Sequence, residues 1–244
     1  MIRLDVSEDP RRRLLIQALA AGLFATGLPA GRTLAAEVSG AGSSKLPAGR
    51  SIYRISGKVL VNGIAALPET RIFAGDTVET SKDSEIVFVV GGNAMILRGE
   101  SRLELQTNAQ KDSMLIDGLR MLTGKLLSVS RNRPMQLETS TAAMGIRGTG
   151  FYVESDPQQT YFCTCYGSVE VTAKGDQESK EIVNSKQHDK PLYIVAGAKP
   201  GQNIRGAPFI NHTDQELALI ESLVGRTPPF IFPGGSYNAP RRNY

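Results

Sequence analysis

An all-β chain with one short helix near its end is what these 244 residues predict. Three observations carry the expectation. Apolar and β-branched residues recur in short runs with period two, Gly, Asn and Asp punctuate those runs, and only one segment repeats at helical spacing. A composition of 41% hydrophobic residues is enough for a core, and 21% charged residues are too few for a disordered chain. One domain of ordinary size is therefore expected, with a leader, a linker and a tail attached.

The leader comes first. Arg11, Arg12 and Arg13 open an apolar stretch of about 15 residues that ends near Leu28, and Thr33, Leu34, Ala35 and Ala36 follow as a small-residue close. A basic start, an apolar middle and a small-residue end read as a secretory signal over residues 1–36, and the paired arginines suit the twin-arginine route. The stretch is shorter than the ~20 residues a spanning helix needs. Cleavage near Ala35 or Ala36 is expected to leave a periplasmic or secreted protein. The leader holds five basic and three acidic residues, so the net charge of +4 falls to +2 without it. No other basic run exists, which excludes a nucleic-acid role, and no second stretch approaches spanning length.

Residues 37–50 read as a Gly/Ser linker, and residues 51–196 as the β domain. Residues 58–61 form a strand closed by Asn62-Gly63, a hairpin signal. Residues 85–90 and 94–97 pair across Gly91-Gly92-Asn93. Residues 103–105, 114–116, 126–129 and 135–137 continue the pattern, and residues 174–180 read as a solvated turn. Strands at 181–183 and 191–195 close the domain. Over residues 197–226, a loop leads to a helix from Asp214 to Val224. Thr213 and Glu216 have capping-box spacing, and Leu217, Ile220, Leu223 and Val224 form the apolar face. Residues 227–244, with four prolines, read as a flexible tail. No forty-residue period appears, so a propeller is excluded, while a sandwich and a short solenoid both fit.

The most informative stretch runs from Thr139 to Val171. Gly145, Gly148 and Gly150 bracket Arg147 before the aromatic run Phe151-Tyr152-Val153, and residues 160–171 alternate in period two with a bend or bulge at Gly167. The string Ile146-Arg147-Gly148-Thr149-Gly150-Phe151, then Gly167-Ser168-Val169-Glu170-Val171, resembles the core signature of the FecR domain family of bacterial envelope proteins. Gly57-Lys58-Val59, Gly75-Asp76-Thr77-Val78-Glu79-Thr80 and Gly124-Lys125-Leu126 fit the same pattern in order, so the resemblance spans about residues 50 to 175. It implies an elongated, solenoid-like β domain outside the cytoplasm, used in sensing rather than catalysis. The sequence shows neither the anti-sigma segment nor the transmembrane helix of the best-known members. An exported binding or sensing module that contacts a protein or glycan partner is therefore expected.

Few residues carry chemistry. The chain has two cysteines and two histidines. Cys163 and Cys165, two apart on one strand, project to the same face. The candidate site joins them with His188 and His212, and a Cys₂His₂ set suits zinc, with copper or iron as alternatives, in a metal- or haem-handling protein. Asp189 and Asp214 are candidates to orient the imidazoles. Convergence within about 4 Å is the expected mark of such a site. The other readings are a buried thiol pair, a strained disulfide, and histidines that serve only their loops. Arg147 reads as a buried structural arginine at a strand corner whose replacement by lysine destabilises the fold, with anion binding as the alternative. Arg147, Gly148, Thr149 and Gly167 are taken as a structural motif. No nucleophile elbow, phosphate loop or calcium loop occurs, so no enzyme is expected.

Overall fold

The computed structural model describes residues 45–108, 113–130 and 133–230. The expected leader, the linker up to residue 44 and the tail from residue 231 lie outside them. The described chain is all-β with a single short helix, as expected.

Two sheet layers enclose the main core. One runs β1 (Ile52–Ser56), β5 (Glu85–Val90), β6 (Asn93–Leu97), the second half of β8 (Gly118–Ser130), the second half of β10 (Ala142–Ser155), the first half of β11 (Gln159–Ala173), β13 (Leu192–Val195) and β14 (Ile204–Gly206). The other runs β3 (Ile64–Ala65), β2 (Val59–Val61), β4 (Thr77–Thr80), β7 (Ser101–Gln106), the first half of β8, β9 (Met135–Glu138), the first half of β10, the second half of β11 and β12 (Asp176–Ser185). Pairing is antiparallel except between β8 and β9.

Three strands are thus long and shared by both layers; the sequence reading has the bend at Gly167 in β11, but only short segments around Gly124 and Gly148. Each long strand carries a glycine with positive φ at its crossover: Gly124, Gly148 and Gly167. Side-chain parity flips there. In β11, Phe162 and then Val169 and Val171 face the same core, although the intervening step is odd. A turn-like residue in the sequence is here a bend inside a continuous strand. At Gly124 a Cβ would lie 2.5 Å from Ser101 Cα, so only glycine fits.

Several local expectations hold. Asn62 and Gly63, at φ 52° and 78°, make the tight hairpin between β2 and β3, and β5 and β6 pair across the predicted turn. Others need correction. Residues 114–116 form no strand; Ile116 merely plugs the core from a loop. The turn expected over 174–180 is confined to Lys174-Gly175, because β12 begins at Asp176. Its Lys and Glu residues alternate outward on an edge strand, a charged pattern that resembles a loop in sequence.

A second apolar cluster lies on the outer face of the first layer. Helix α1 (Asp214–Leu223) covers it, packing Leu217, Ile220 and Leu223 with Val87, Ile96 and Leu127. Each fully buried aliphatic side chain there contributes about 1.5–3 kcal/mol. The Thr213 hydroxyl accepts from the Glu216 N–H and the Glu216 carboxylate accepts from the Thr213 N–H, which closes the expected capping box. Leu46 N–H donates to Leu223 O at 3.0 Å, so the end of the linker is stitched to the helix. Phe230, in the first residues of the expected tail, packs on Tyr166 at 6.0 Å between ring centroids.

Candidate metal centre

Cys163 and Cys165 sit on the outer face of β11, under the helix, both buried and both free thiols. His188 lies in the loop between β12 and β13, where it adopts φ 52°. Its N–H donates to Cys165 O at 3.0 Å, which ties the loop to the cysteine strand. His212 lies in the strap 207–213 between β14 and α1. Three segments far apart in sequence thus deliver four side chains to one point. Their ligand atoms all lie within 4.8 Å of one another, against an expectation of about 4 Å.

The nearest contacts are His188 Nδ1 to His212 Nε2 at 3.1 Å and Cys163 Sγ to His188 Nδ1 at 3.5 Å. An ion about 2.0–2.1 Å from nitrogen and about 2.3 Å from sulfur, bound tetrahedrally, places two nitrogens about 3.3 Å apart and nitrogen and sulfur about 3.6 Å apart. The His188–His212 and Cys163–His188 contacts already meet that spacing, and every other pair of ligand atoms lies within 4.8 Å.

The outer nitrogens fix what the inner ones offer. His212 Nδ1 lies 2.7 Å from Ile210 O, a carbonyl that can only accept, so this nitrogen carries the proton. His188 Nε2 donates to Asp214 Oδ1 at 2.8 Å. Burial opposes ionisation of Asp214, but the bonds from His188 and Gln187 outweigh it and hold the carboxyl below its usual range. Both lone pairs therefore point inward, at each other and at Cys163. Asp214 orients its imidazole as expected of a partner behind a ligand. Asp189 does not: its Oδ2 accepts from Lys186 N–H at 2.6 Å and from the Ser185 hydroxyl, and it braces the loop backbone instead.

Burial works against a Cys163 thiolate, yet bonds from Cys165, His188 and His212 prevail and hold its thiol well below the ordinary range. Burial likewise opposes a charged His188, but Asp214 and Cys163 raise it to about 9. Burial, then the neighbouring Cys163, pushes the Cys165 thiol well above its usual range. Binding of a metal ion at such a site displaces the protons its ligands carry.

Aromatic rings wall the centre. His212 stacks on Tyr152 at 4.5 Å, and Phe209 lies 4.4 Å from His188 and 4.6 Å from His212. The sequence did not single out these rings, nor the polar anchors of the helix. Arg98 bonds Glu216 at 2.7 Å and packs over the Tyr152 ring. Glu221, fully buried, accepts from the Tyr166 hydroxyl and pairs with Arg226 Nε at 2.7 Å. A charged residue inside the apolar stripe of α1, level with Leu217, is the signal that could have found it.

The glycine motif has a structural role. A Cβ on Gly150 would lie 2.5 Å from the Tyr166 ring, and one on Gly167 would lie 2.5 Å from Thr149 Cγ2. These two glycines let β10 and β11 close around the bulge and set Tyr166 to reach Glu221. Arg147 differs from expectation: it is exposed, projecting outward opposite Ser168, not buried at a corner. Together with Lys180, the larger influence, it holds Glu170 below the usual carboxylate range. Arg147→Lys is accordingly expected to melt within about 0.5 kcal/mol of the unchanged protein in thermal denaturation.

Residues 76–170 match the family model described as FecR protein. Two crystal structures described as "a putative anti-sigma factor from Parabacteroides distasonis" are similar at 15% identity with a TM-score of 0.41. Each match covers 54% of this chain and 58% of that one, so the likeness spans little more than half of either. No curated protein matches the chain. Both cysteines lie inside the matched span, and both histidines lie beyond it. No helix among the described residues is long and apolar enough to cross a membrane.

Proposed function

We propose that the protein is a non-catalytic sensing module of FecR-domain type in the cell envelope, holding a transition metal ion at Cys163, Cys165, His188 and His212. One observation carries the reading: both imidazoles are turned by protein acceptors so that their inner nitrogens meet beside the buried Cys163 sulfur. Four protein ligands leave no position for substrate or reactive water, the arrangement of structural and sensory sites rather than catalytic ones. A buried set this tight offers no slot for a porphyrin, so a bare ion is favoured over haem. Export through the twin-arginine route after cytoplasmic folding fits, because the thiols would meet the metal before they met an oxidant.

The test is elemental analysis of protein purified under reducing conditions, followed by Co²⁺ substitution. One metal per chain and the visible bands of thiolate-bound tetrahedral Co²⁺ are expected; substoichiometric metal, with both thiols freely modified, removes the reading. Asp214→Asn keeps the fold but weakens orientation of His188, and is expected to lower metal affinity by about 10–100-fold in competition with a chelating dye.

A second reading has an observation of its own. Ile64 and Leu67 are 74% and 56% exposed beside β3, the two-residue end strand of the second layer. A protein or glycan partner contacting this edge would make the module a docking platform.

A further inference from the structure

We propose that the ion is Zn²⁺ and that it works as a clasp, fastening the C-terminal helix to the sheet so that metal occupancy is read out as helix docking. The inference rests on the metal reading above and adds its consequence.

The ligands are divided between parts that separate if the helix leaves. Cys163 and Cys165 belong to the sheet, while His212 stands directly before the N-cap Thr213, and Asp214, the first helical residue, holds His188. No intact Cys₂His₂ set exists with the strap 207–213 displaced. Conversely, an ion bound by all four cross-links β11, the 186–191 loop and the helix start. A buried set of two imidazole nitrogens and two cysteine sulfurs, four protein ligands in all, is the donor set of structural zinc sites.

The helix is the element that such a clasp can control. With ten residues it is too short to persist in water unaided, so release of its N-terminus frees a segment that unfolds. Release also bares the outer apolar face around Val87, Ile96 and Leu127. The strap is otherwise held by hydrogen bonds: Tyr161 OH donates to Pro208 O and accepts from Ile210 N–H at 3.0 and 3.3 Å, Ala207 N–H donates to Pro191 O at 2.9 Å, Asn211 Nδ2 donates to Glu154, and Arg98 reaches Asn211 O and Glu216.

Hydrogen exchange on the full chain tests this, comparing chelator-treated protein with protein given Zn²⁺ alone. With free zinc a thousandfold above its dissociation constant, amides of residues 212–224 are expected to exchange about a thousandfold more slowly. Amides of β4 and β7, remote from the clasp, are expected to be unchanged. His212→Ala is expected to abolish the zinc response of the helix, read as the ratio of its exchange rates with and without zinc in that same variant, which cancels any loss of packing from removing the buried ring. Stoichiometric zinc binding with unchanged helix exchange overturns the clasp and leaves the metal site standing. Failure to bind zinc removes the metal site, and the clasp with it. Equal slowing in His212→Ala also overturns the clasp, since the strap ligand would then be dispensable.

Discussion

Cys163→Ala is expected to lower zinc affinity by well over a hundredfold while shifting the melting of the metal-free protein by only about 1 kcal/mol. The first figure follows because replacing a mere supporting residue at such sites already costs about 10–100-fold, and Cys163 is the sulfur nearest the imidazoles, 3.5 Å from His188 Nδ1. The second follows because the substitution removes one buried heavy atom, comparable to deleting a single methyl group. The split between the two measurements separates the readings. A cysteine that serves only as a small hydrophobe would lose the same stability with and without zinc, and zinc would not raise the melting temperature of the unaltered protein. A ligand loses its effect only where zinc is present. Acidification acts in the same direction, because protons compete for the thiolates and imidazoles, so zinc affinity falls as pH falls. A zinc-dependent rise in melting temperature that survives Cys163→Ala would remove this cysteine from the site.

How much of this was legible in the sequence depends on the range of the interaction involved. The β2–β3 hairpin was written in two adjacent residues whose backbone needs are local, and the capping box in two residues three apart. Convergence of Cys163, Cys165, His188 and His212 was anticipated from scarcity: with only four such residues in the chain, a site of this kind could use no others. Continuity through a bend was legible at Gly167, read as a bend or bulge within residues 160–171, and only there. Gly124 and Gly148 have the signature of strand ends, yet sit inside strands that pass between layers, because positive φ serves a bend as well as a turn. Arg147 was misplaced for a related reason: flanking glycines promise close packing, and the packing proved to belong to Thr149 and Tyr166 on the neighbouring bulge. The outer apolar face was hidden for a third reason. Strands buried on both faces lose the alternation that says which side is inward, and the docked helix, the strap with Phe209 and His212, and Phe230 together cover Cys163, Cys165 and Tyr166.

Glu221→Ala is expected to destabilise the protein by about 3–5 kcal/mol, the cost of removing one partner from a buried ion pair. For a domain of this size that corresponds to a melting temperature lower by roughly 10 °C. Glu221 is wholly buried and joins three things: the helix it belongs to, Tyr166 on β11, and Arg226, whose guanidinium also donates to Gly92 O at 3.0 Å. Without the carboxylate, a guanidinium that is only 16% exposed loses its counter-charge, and the Tyr166 hydroxyl loses its acceptor. Glu221→Gln keeps an acceptor and is expected to cost less. A double replacement, Glu221→Leu with Arg226→Leu, is expected to recover most of the loss, because the penalty lies in the stranded charge and not in the absence of attraction. A single replacement costing under 1 kcal/mol would show that the pair is solvated in practice. The same variant probes the clasp from its opposite end. Glu221 anchors the last turn of the helix while the ion fastens the first, so if the two act on one docking equilibrium, Glu221→Ala weakens zinc binding although it touches no ligand. The coupling is reciprocal: whatever factor zinc affinity loses, zinc must regain in helix stability.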